Sequence, residues 1–161
     1  MSPVGYVRAA RSTPVDDFWG GTTAMIELAD GFEEDSLAGL ESFSHAEILY
    51  VFHQVRLEKI VTGARYPRNN TAWPKVGIFA QRGKNRPNRI GTTLVPVLRR
   101  EGRRLYVADL DAIDGTPVLD IKPVLREFLP RSEVRQPDWA TELMRDYWAE
   151  EAVAGCRKSP A

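Results

Sequence analysis

The chain has little of what most metal sites and disulfide scaffolds need. Among its 161 residues it has one cysteine, Cys156, and two histidines, His45 and His53. A single cysteine excludes a disulfide framework and a thiolate metal centre. The two histidines lie eight positions apart, with no acids at a spacing that would supply a third ligand. We therefore expect no bound metal.

Long apolar runs are also missing. No stretch reaches the roughly 18 residues that span a bilayer, and residues 1–8 lack the charged head and apolar core of a secretion signal. These absences predict a cytoplasmic protein that does not enter a membrane. The chain also has no Gly-x-Gly-x-x-Gly or Walker-type loop, and its strands do not alternate with long helices. A parallel nucleotide-binding fold is therefore not predicted.

The charges sum to zero but are unevenly distributed. Residues 56–104 contain thirteen lysines and arginines against two acids, and four of these bases fall within residues 82–89. Such segregation favours a face that binds polyanions. The alternative is that these side chains scatter over the surface and pair with acids from elsewhere in the chain.

Strand patterns dominate the first two thirds of the chain. Residues 46–53 are mostly apolar, which predicts a strand buried on both faces. Residues 92–99 and 105–110 predict a hairpin whose turn contains Gly102, a residue able to take a positive φ. The other predicted strands are residues 4–10, 25–29, 76–80 and 117–121.

The pattern changes after Pro137. Trp139, Leu143 and Tyr147 recur every four residues, which predicts an amphipathic helix of about fifteen residues over 138–153. Its apolar stripe is expected to pack on the rest of the fold or on a twin subunit rather than to bind a cofactor. The predicted strands together with this single helix indicate a mainly β protein.

The predicted fold is a small antiparallel β-barrel followed by a C-terminal α-helix. We assign the barrel domain to residues 1–130 and the helix and tail of the same domain to residues 131–161.

A basic segment, residues 79–91, is the strongest candidate for ligand binding. Guanidinium groups offer fixed forks for carboxylate or phosphate, so the segment favours an anionic or nucleotide-like ligand. The alternative is a solvated basic loop. The side chains able to hold such a ligand are Gln81, Arg82, Lys84, Arg86 and Arg89.

Two further polar groups stand out. His53-Gln54 follows an apolar strand, where a polar pair must find partners or border a cavity. His53 is thus either a general base or ligand contact, or a strand-end histidine with its hydrogen bonds satisfied. Asp114-Gly115 predicts a turn. Asp120 lies among apolar neighbours and is expected to pair with an arginine of the basic segment or to hold a ribose or amine. No Ser-His-Asp or Cys-His order indicates nucleophilic catalysis.

At these residues the chain resembles the TsaA-like, or TrmO-type, tRNA methyltransferases. The resemblance covers roughly residues 4–125, and its longest string, Asp111-Ala-Ile-Asp-Gly-Thr-Pro-Val-Leu-Asp-Ile-Lys-Pro123, is quite specific. The other similar segments are residues 39–45, 51–54, 67–68, 76–80, 86–88 and 90–91, together with Arg82.

The resemblance implies a dimeric β-barrel that binds S-adenosylmethionine without a Rossmann fold. It also implies methylation of N6 of the threonylcarbamoyl-modified adenosine beside the tRNA anticodon. The acceptor nitrogen must lose a proton in such a reaction, and we expect a nearby base, His53 or Asp114, to take it. The implied cofactor contacts are His53, Gln54, Arg82, Leu94, Asp114, Gly115, Thr116 and Pro117. The candidates for binding tRNA phosphate or the threonyl carboxylate are Arg68, Lys84, Arg86 and Arg89.

The chain departs from the family pattern at several places, among them Arg89, where members have proline, and Thr92-Thr93, where they have a Leu/Met-Ser pair. Residues 82–84 read Arg-Gly-Lys where members usually have Arg-Ser-Pro, and residues 15–21 replace a Pro-Arg-Gln type segment. Many bacterial members also continue into a further C-terminal domain, where this chain has its predicted helix. Two alternatives therefore stay open: a methyltransferase with another acceptor, and a non-catalytic barrel that binds RNA or a nucleotide.

Overall fold

The structure is a computed structural model that describes residues 1–151. Six strands close into an antiparallel barrel in the spatial order 1-2-7-6-3-8, and the two short remaining strands pair with each other. The mainly β fold with a C-terminal helix predicted from the sequence is confirmed. The elements are β1 (Gly5–Ala9), β2 (Thr23–Leu28), β3 (His45–Val51), β4 (Ala64–Arg65), β5 (Val76–Gly77), β6 (Ile90–Glu101), β7 (Arg104–Ala108), β8 (Pro117–Pro123) and α1 (Asp138–Leu143).

Alternation along the strands builds the core. In β3, Ala46, Ile48 and Tyr50 are buried, while the residues between them are only half buried. The prediction that this strand is buried on both faces was wrong, because the wall of a small barrel has one interior face and one outer face. The other inward side chains of the core include Val7, Ile26, Val95, Leu105, Val107 and Val118.

The long strand β6 changes partner along its length. Its first half, Ile90 to Pro96, pairs with β3, and its second half, from Val97 to Glu101, pairs with β7, with an irregularity in register between Val97 and Arg99. The predicted hairpin with β7 is confirmed, and Gly102 in its turn has a φ of 55°. Because β7 separates from the first half of β6, the loop between β7 and β8 can reach that half.

Two predicted elements are shorter than expected. In the predicted strand 76–80, only Val76–Gly77 pairs, with β4, and Ile78–Ala80 forms a 3-10 turn. The predicted fifteen-residue helix is confined to the six residues of α1. The carbonyl groups of Asp146 and Tyr147 accept the N–H groups of Phe18 and Trp19 in an N-terminal loop. The Asp146 carbonyl also accepts the N–H of Ala149, three residues on, in a turn that does not continue the α-helix. The end of the predicted helix and Cys156 lie outside the described residues.

Neither a membrane-crossing helix nor a metal-binding cluster is found in residues 1–151. The helices there lack the combination of length and apolarity that a bilayer requires. The same residues hold no group of three or more His, Cys, Asp or Glu side chains arranged to bind a metal ion.

Candidate functional site

The ends of three strands meet at one end of the barrel. Tyr50, near the end of β3, pairs with Gly91 at the start of β6 and with Val118 at the start of β8. The loop that follows β3 and the loop that precedes β8 therefore emerge at the same barrel end. These loops carry His53-Gln54 and Asp114–Pro117. The fold thus brings the two segments with most of the predicted cofactor contacts to one end of the molecule.

A carboxylate that accepts three hydroxyl groups lies at this end. Tyr50 Oη donates to Asp111 Oδ1 over 2.9 Å, and Thr93 Oγ1 donates to the same oxygen. Tyr147 Oη donates to Asp111 Oδ2. Burial raises the pKa of Tyr50 and of Tyr147 well above that of an ordinary tyrosine, and the negative charge of Asp111 adds to this rise. Both phenols are therefore neutral donors at physiological pH.

Arg82 supplies a positive charge beside this network. Its Nη2 donates to the carbonyl oxygen of Thr92 over 2.6 Å, which attaches the basic segment to β6. The guanidinium also acts against the rise in the pKa of Tyr50 and Tyr147, so it lies within electrostatic range of both. The predicted cofactor residue Arg82 therefore lies with the Asp111 carboxylate at the same barrel end, although it is itself exposed.

The predicted turn at Asp114-Gly115 is present. Asp114 Oδ1 accepts the backbone N–H of Ala9 over 3.1 Å, and the N–H of Gly115, whose φ is 76°, donates to the carbonyl of Val7. The turn thereby joins the start of β8 to β1. One oxygen of Asp114 has a structural partner, and the role of this carboxylate toward a ligand stays a prediction.

His53 lies in the turn that follows β3. It is half buried, and its backbone N–H donates to the carbonyl of Val51 over 2.7 Å. Gln54, the next residue, is exposed. A half-buried side chain at the barrel end is compatible both with a general base or ligand contact and with a strand-end histidine whose hydrogen bonds are satisfied. The role of His53 as a base therefore also stays a prediction.

A cleft of about 440 Å³ opens beside β6, on the outer side of the barrel. Leu94, a predicted cofactor contact, lines it with 49% of its surface exposed. Trp148 and Glu150 of the C-terminal segment and Asp109 form other walls. The volume falls within the roughly 300–1,000 Å³ of typical ligand sites. Of these four residues, the sequence had indicated only Leu94.

Acids from the N-terminal loop pair with two of the predicted RNA-binding residues. Arg68 forms a two-pronged ion pair with Asp17, with N–O distances of 2.8 and 2.7 Å. This hydrogen bonding raises the pKa of Arg68. Lys84 lies 3.4 Å from Asp16. A polyanion that binds either base must therefore compete with a carboxylate of the same chain.

The other two predicted RNA-binding residues stabilise their own loops. Arg86 donates to the carbonyl of Gln81 over 2.9 Å, and Arg89 donates to the carbonyl of Val55 over 3.0 Å. Each guanidinium has further N–H groups beyond these bonds. A combined role in loop structure and RNA binding is therefore compatible with the geometry.

Other lysines and arginines of residues 56–104 also form ion pairs with acids of the same chain. Within the part of the chain that the structure describes, seven of the thirteen bases in residues 56–104 form ion pairs, five of them with acids of the first 41 residues. The pairing that was expected as the alternative to a polyanion face is thus present for about half of these bases. Surface pairs contribute little to stability individually. The seven are Arg56, Arg68, Lys84, Arg99, Arg100, Arg103 and Arg104.

Asp120 does not pair with an arginine of the basic segment. Its carboxylate contacts Lys122, two residues along β8, and accepts the N–H of Ile121 over 2.9 Å. Residues two apart on a strand share a face, so Asp120 and Lys122 form a local, partly exposed pair. The expected pairing with an arginine was wrong, because the apolar neighbours of Asp120 point to the other face. Its alternative role, holding a ribose or amine, stays a prediction.

Strained backbone surrounds the site. Phe18, Arg68, Arg89 and Asp109 have φ values of 63°, 48°, 53° and 53°, which are unfavourable for residues with a side chain. Such conformations persist where surrounding contacts hold them, and they concentrate at ligand sites. Arg68 and Arg89 are predicted RNA-binding residues, and Asp109 lines the cleft.

Residues 8–128 match the model of a family described as the tRNA-methyltransferase O N-terminal domain. The chain belongs to this family. The resemblance seen in the sequence is thereby confirmed, and it covers most of the barrel but not the C-terminal residues Tyr147, Trp148 and Glu150.

The chain is similar to parts of longer known proteins. Human tRNA (adenine(37)-N6)-methyltransferase is 44% identical over 104 residues, which are 65% of this chain and 23% of the human protein. A putative S-adenosylmethionine-dependent methyltransferase of Pseudomonas aeruginosa is 30% identical over 161 residues, covering 95% of this chain and 67% of its own length.

Solved structures support the same relationship. The crystal structure of TrmO from Pseudomonas aeruginosa superposes on 83% of this chain with a TM-score of 0.65 and 31% identity, over 59% of its own length. The chain therefore spans a little more than half of that TrmO and about a quarter of the human relative.

Proposed function

We propose that the chain is an S-adenosylmethionine-dependent methyltransferase that methylates N6 of adenosine 37 of tRNA, in its threonylcarbamoyl-modified form. The proposal includes a homodimer that works in the cytoplasm. The observation that carries it is the convergence of His53-Gln54, Arg82 and Asp114–Pro117 at one barrel end in a member of the TrmO family. The names of its relatives state methylation of N6 of adenine 37 of tRNA, and the threonylcarbamoyl-modified form is the part that the sequence resemblance adds.

The side chains at this end suit S-adenosylmethionine. The Arg82 guanidinium matches the carboxylate of its methionine part. Oxygens of Asp114 and Gln54 are acceptors for its ammonium and ribose hydroxyl groups, and Leu94 offers an apolar contact for its purine. His53, Thr116 and the Gly115-Pro117 backbone complete the proposed contacts. The donor set and the size of the adjacent cleft therefore fit this cofactor.

When bound, the cofactor supplies an activated methyl group whose leaving group needs no acid. The chain must therefore mainly align the acceptor nitrogen, an effect that contributes up to roughly 7–11 kcal/mol in ideal cases. A base must also accept the N6 proton, and we assign this role to His53 or Asp114.

We expect Arg82→Ala to weaken S-adenosylmethionine binding by at least about tenfold, because a charge-assisted hydrogen bond to the ligand is lost. Isothermal titration calorimetry of the purified protein measures this directly. Arg104→Ala is the matched control, since Arg104 pairs with Glu27 on the barrel wall. Equal affinities of Arg82→Ala and wild type would remove Arg82 from the cofactor site.

The acceptor adenosine lies in a single-stranded loop, which proteins bind by holding phosphates and splaying out a base. We assign the phosphate or threonyl carboxylate contacts to Arg68, Lys84, Arg86 and Arg89. In free protein, two of these bases are held by Asp16 and Asp17. The acidic N-terminal loop is thus expected to compete with tRNA.

Asp17→Asn is therefore expected to tighten tRNA binding about three- to fivefold at low salt. In this variant tRNA no longer has to break the ion pair between Arg68 and Asp17, and this factor corresponds to the free energy of a partly exposed ion pair. Filter binding with an anticodon stem-loop at two salt concentrations measures the effect, which should shrink at high salt. Asp30→Asn, which removes the ion pair of Arg103 at the opposite barrel end, is the control. Unchanged or weaker binding by Asp17→Asn would contradict the placement of tRNA at Arg68.

A further inference from the structure

The C-terminal segment, residues 144–150, contacts the candidate site instead of continuing α1. The carbonyls of Asp146 and Tyr147 accept the N–H groups of Phe18 and Trp19 over 3.1 and 2.8 Å. A side chain at Gly20 would collide with the carbonyl oxygen of Trp148. A glycine at this position therefore lets the segment lie directly against the N-terminal loop.

Tyr147 ties the same segment to the centre of the barrel end. Its hydroxyl donates to Asp111, the carboxylate that also accepts Tyr50 and Thr93. The rings of Tyr147 and Trp148 meet edge to face, with centroids 4.9 Å apart. The position of Trp148 is therefore set by a neighbour whose own hydroxyl is fixed on Asp111.

Trp148 borders the 440 Å³ cleft together with Leu94 of β6. The two side chains keep 45% and 49% of their surface exposed, so each retains apolar surface that the fold leaves uncovered. The carboxylates of Asp109 and Glu150 stand at the same cleft, and Asp109 Oδ1 already accepts the N–H of Gly21 over 2.8 Å. The cleft thus combines apolar walls with acceptors at its edge.

We propose that this cleft binds the adenosine half of the cofactor, with the purine against Trp148 and Leu94 and with Glu150 accepting a ribose hydroxyl. This inference rests on the proposed function and adds to it a part of the chain that lies beyond the family match at residues 8–128. A planar purine gains both dispersion and stacking energy from an indole face. Trp148 is then a ligand contact, and Tyr147 is a positioning residue that acts through Trp148.

The test compares two ligands that share adenosine. In calorimetric titrations, Trp148→Ala should lower the affinities for S-adenosylmethionine and for S-adenosylhomocysteine by the same factor, about tenfold or more. Trp148→Phe keeps an aromatic face and should stay within about threefold of wild type. Phe128→Ala removes an aromatic side chain that is 85% exposed and does not line the cleft, so it should leave both affinities unchanged.

Three outcomes would overturn the inference. If wild type binds S-adenosylmethionine and Trp148→Ala binds it equally well, the adenosine lies elsewhere and the proposed function survives. If only S-adenosylmethionine loses affinity, Trp148 contacts the sulfonium rather than the purine. If wild-type protein, shown to be folded and free of copurified cofactor, binds neither ligand, both the inference and the proposed function fail. Both substituted positions, Trp148 and Phe128, are exposed, so folding of the three variants is not the limiting factor.

Discussion

Replacing Asp111 with alanine is expected to lower the free energy of unfolding by about 3–5 kcal/mol. Its carboxylate accepts hydroxyl groups from β3, β6 and the C-terminal segment, so one substitution removes three hydrogen bonds. Two of the donors, Tyr50 and Thr93, are 1% and 7% exposed. Without the carboxylate they keep only the longer contacts of Tyr50 Oη with Thr93 Oγ1 at 3.4 Å and with the backbone carbonyl of residue 111 at 3.3 Å. A buried donor that loses its partner carries the full desolvation penalty.

Urea denaturation followed by circular dichroism measures the Asp111 effect. Asp120→Ala is a suitable control, because Asp120 forms only a local, partly exposed pair with Lys122 and its loss should cost about 1 kcal/mol or less. Tyr147→Phe removes one of the three hydrogen bonds and should cost about 1–2 kcal/mol. A loss below about 1 kcal/mol for Asp111→Ala would show that the network does not stabilise the barrel end.

Replacing Gly91 with alanine should cost about 3 kcal/mol or more through overpacking. An added Cβ would lie 2.5 and 2.6 Å from ring atoms of Tyr50 and 2.9 Å from the ring of Phe52. Tyr50 is almost fully buried, and its hydroxyl is fixed on Asp111, so its ring has little room to move. Removing the overlap between the added Cβ and these rings would require β6 to shift away from β3.

Gly77→Ala provides the control for this substitution. A Cβ at Gly77 meets nothing within 4 Å, and Gly77, like Gly91, has no positive φ. Thermal unfolding of both variants should therefore show a large decrease in Tm for Gly91→Ala and a change near zero for Gly77→Ala. Similar Tm values for the two variants would mean that the barrel accommodates a side chain at Gly91, contrary to its close packing against the rings of Tyr50 and Phe52.

Local features account for most of what the sequence could predict. The barrel strands follow from alternating burial, and the hairpin follows from two β patterns around Gly102. The Asp114-Gly115 turn has a well-known local signature. The fold class needed only these signals together with the absence of long helices.

The polar centre could not be predicted, because its members are far apart in the chain. Tyr50 and Asp111 are 61 residues apart, and Tyr147 lies another 36 residues on. No periodicity links such residues, and their contact depends on how β3 and β6 pair. The pairing of Arg68 with Asp17, 51 residues away, was hidden for the same reason.

The C-terminal segment shows how a correct pattern led to a wrong element. Trp139, Leu143 and Tyr147 have helical spacing, yet the helix ends at Leu143. Long-range hydrogen bonds from Phe18 and Trp19, and from Tyr147 to Asp111, hold the following residues in another conformation. Helix propensity is a weak preference that such tertiary contacts override.

The most direct test of the proposed function is methyl transfer to tRNA. Purified protein is incubated with methyl-labelled S-adenosylmethionine and with tRNA that carries threonylcarbamoyladenosine at position 37, and the digested nucleosides are analysed by mass spectrometry. The account predicts label on N6 of that nucleoside only, with unmodified tRNA as a poorer substrate. Saturable cofactor binding without label in this nucleoside would contradict the assigned acceptor.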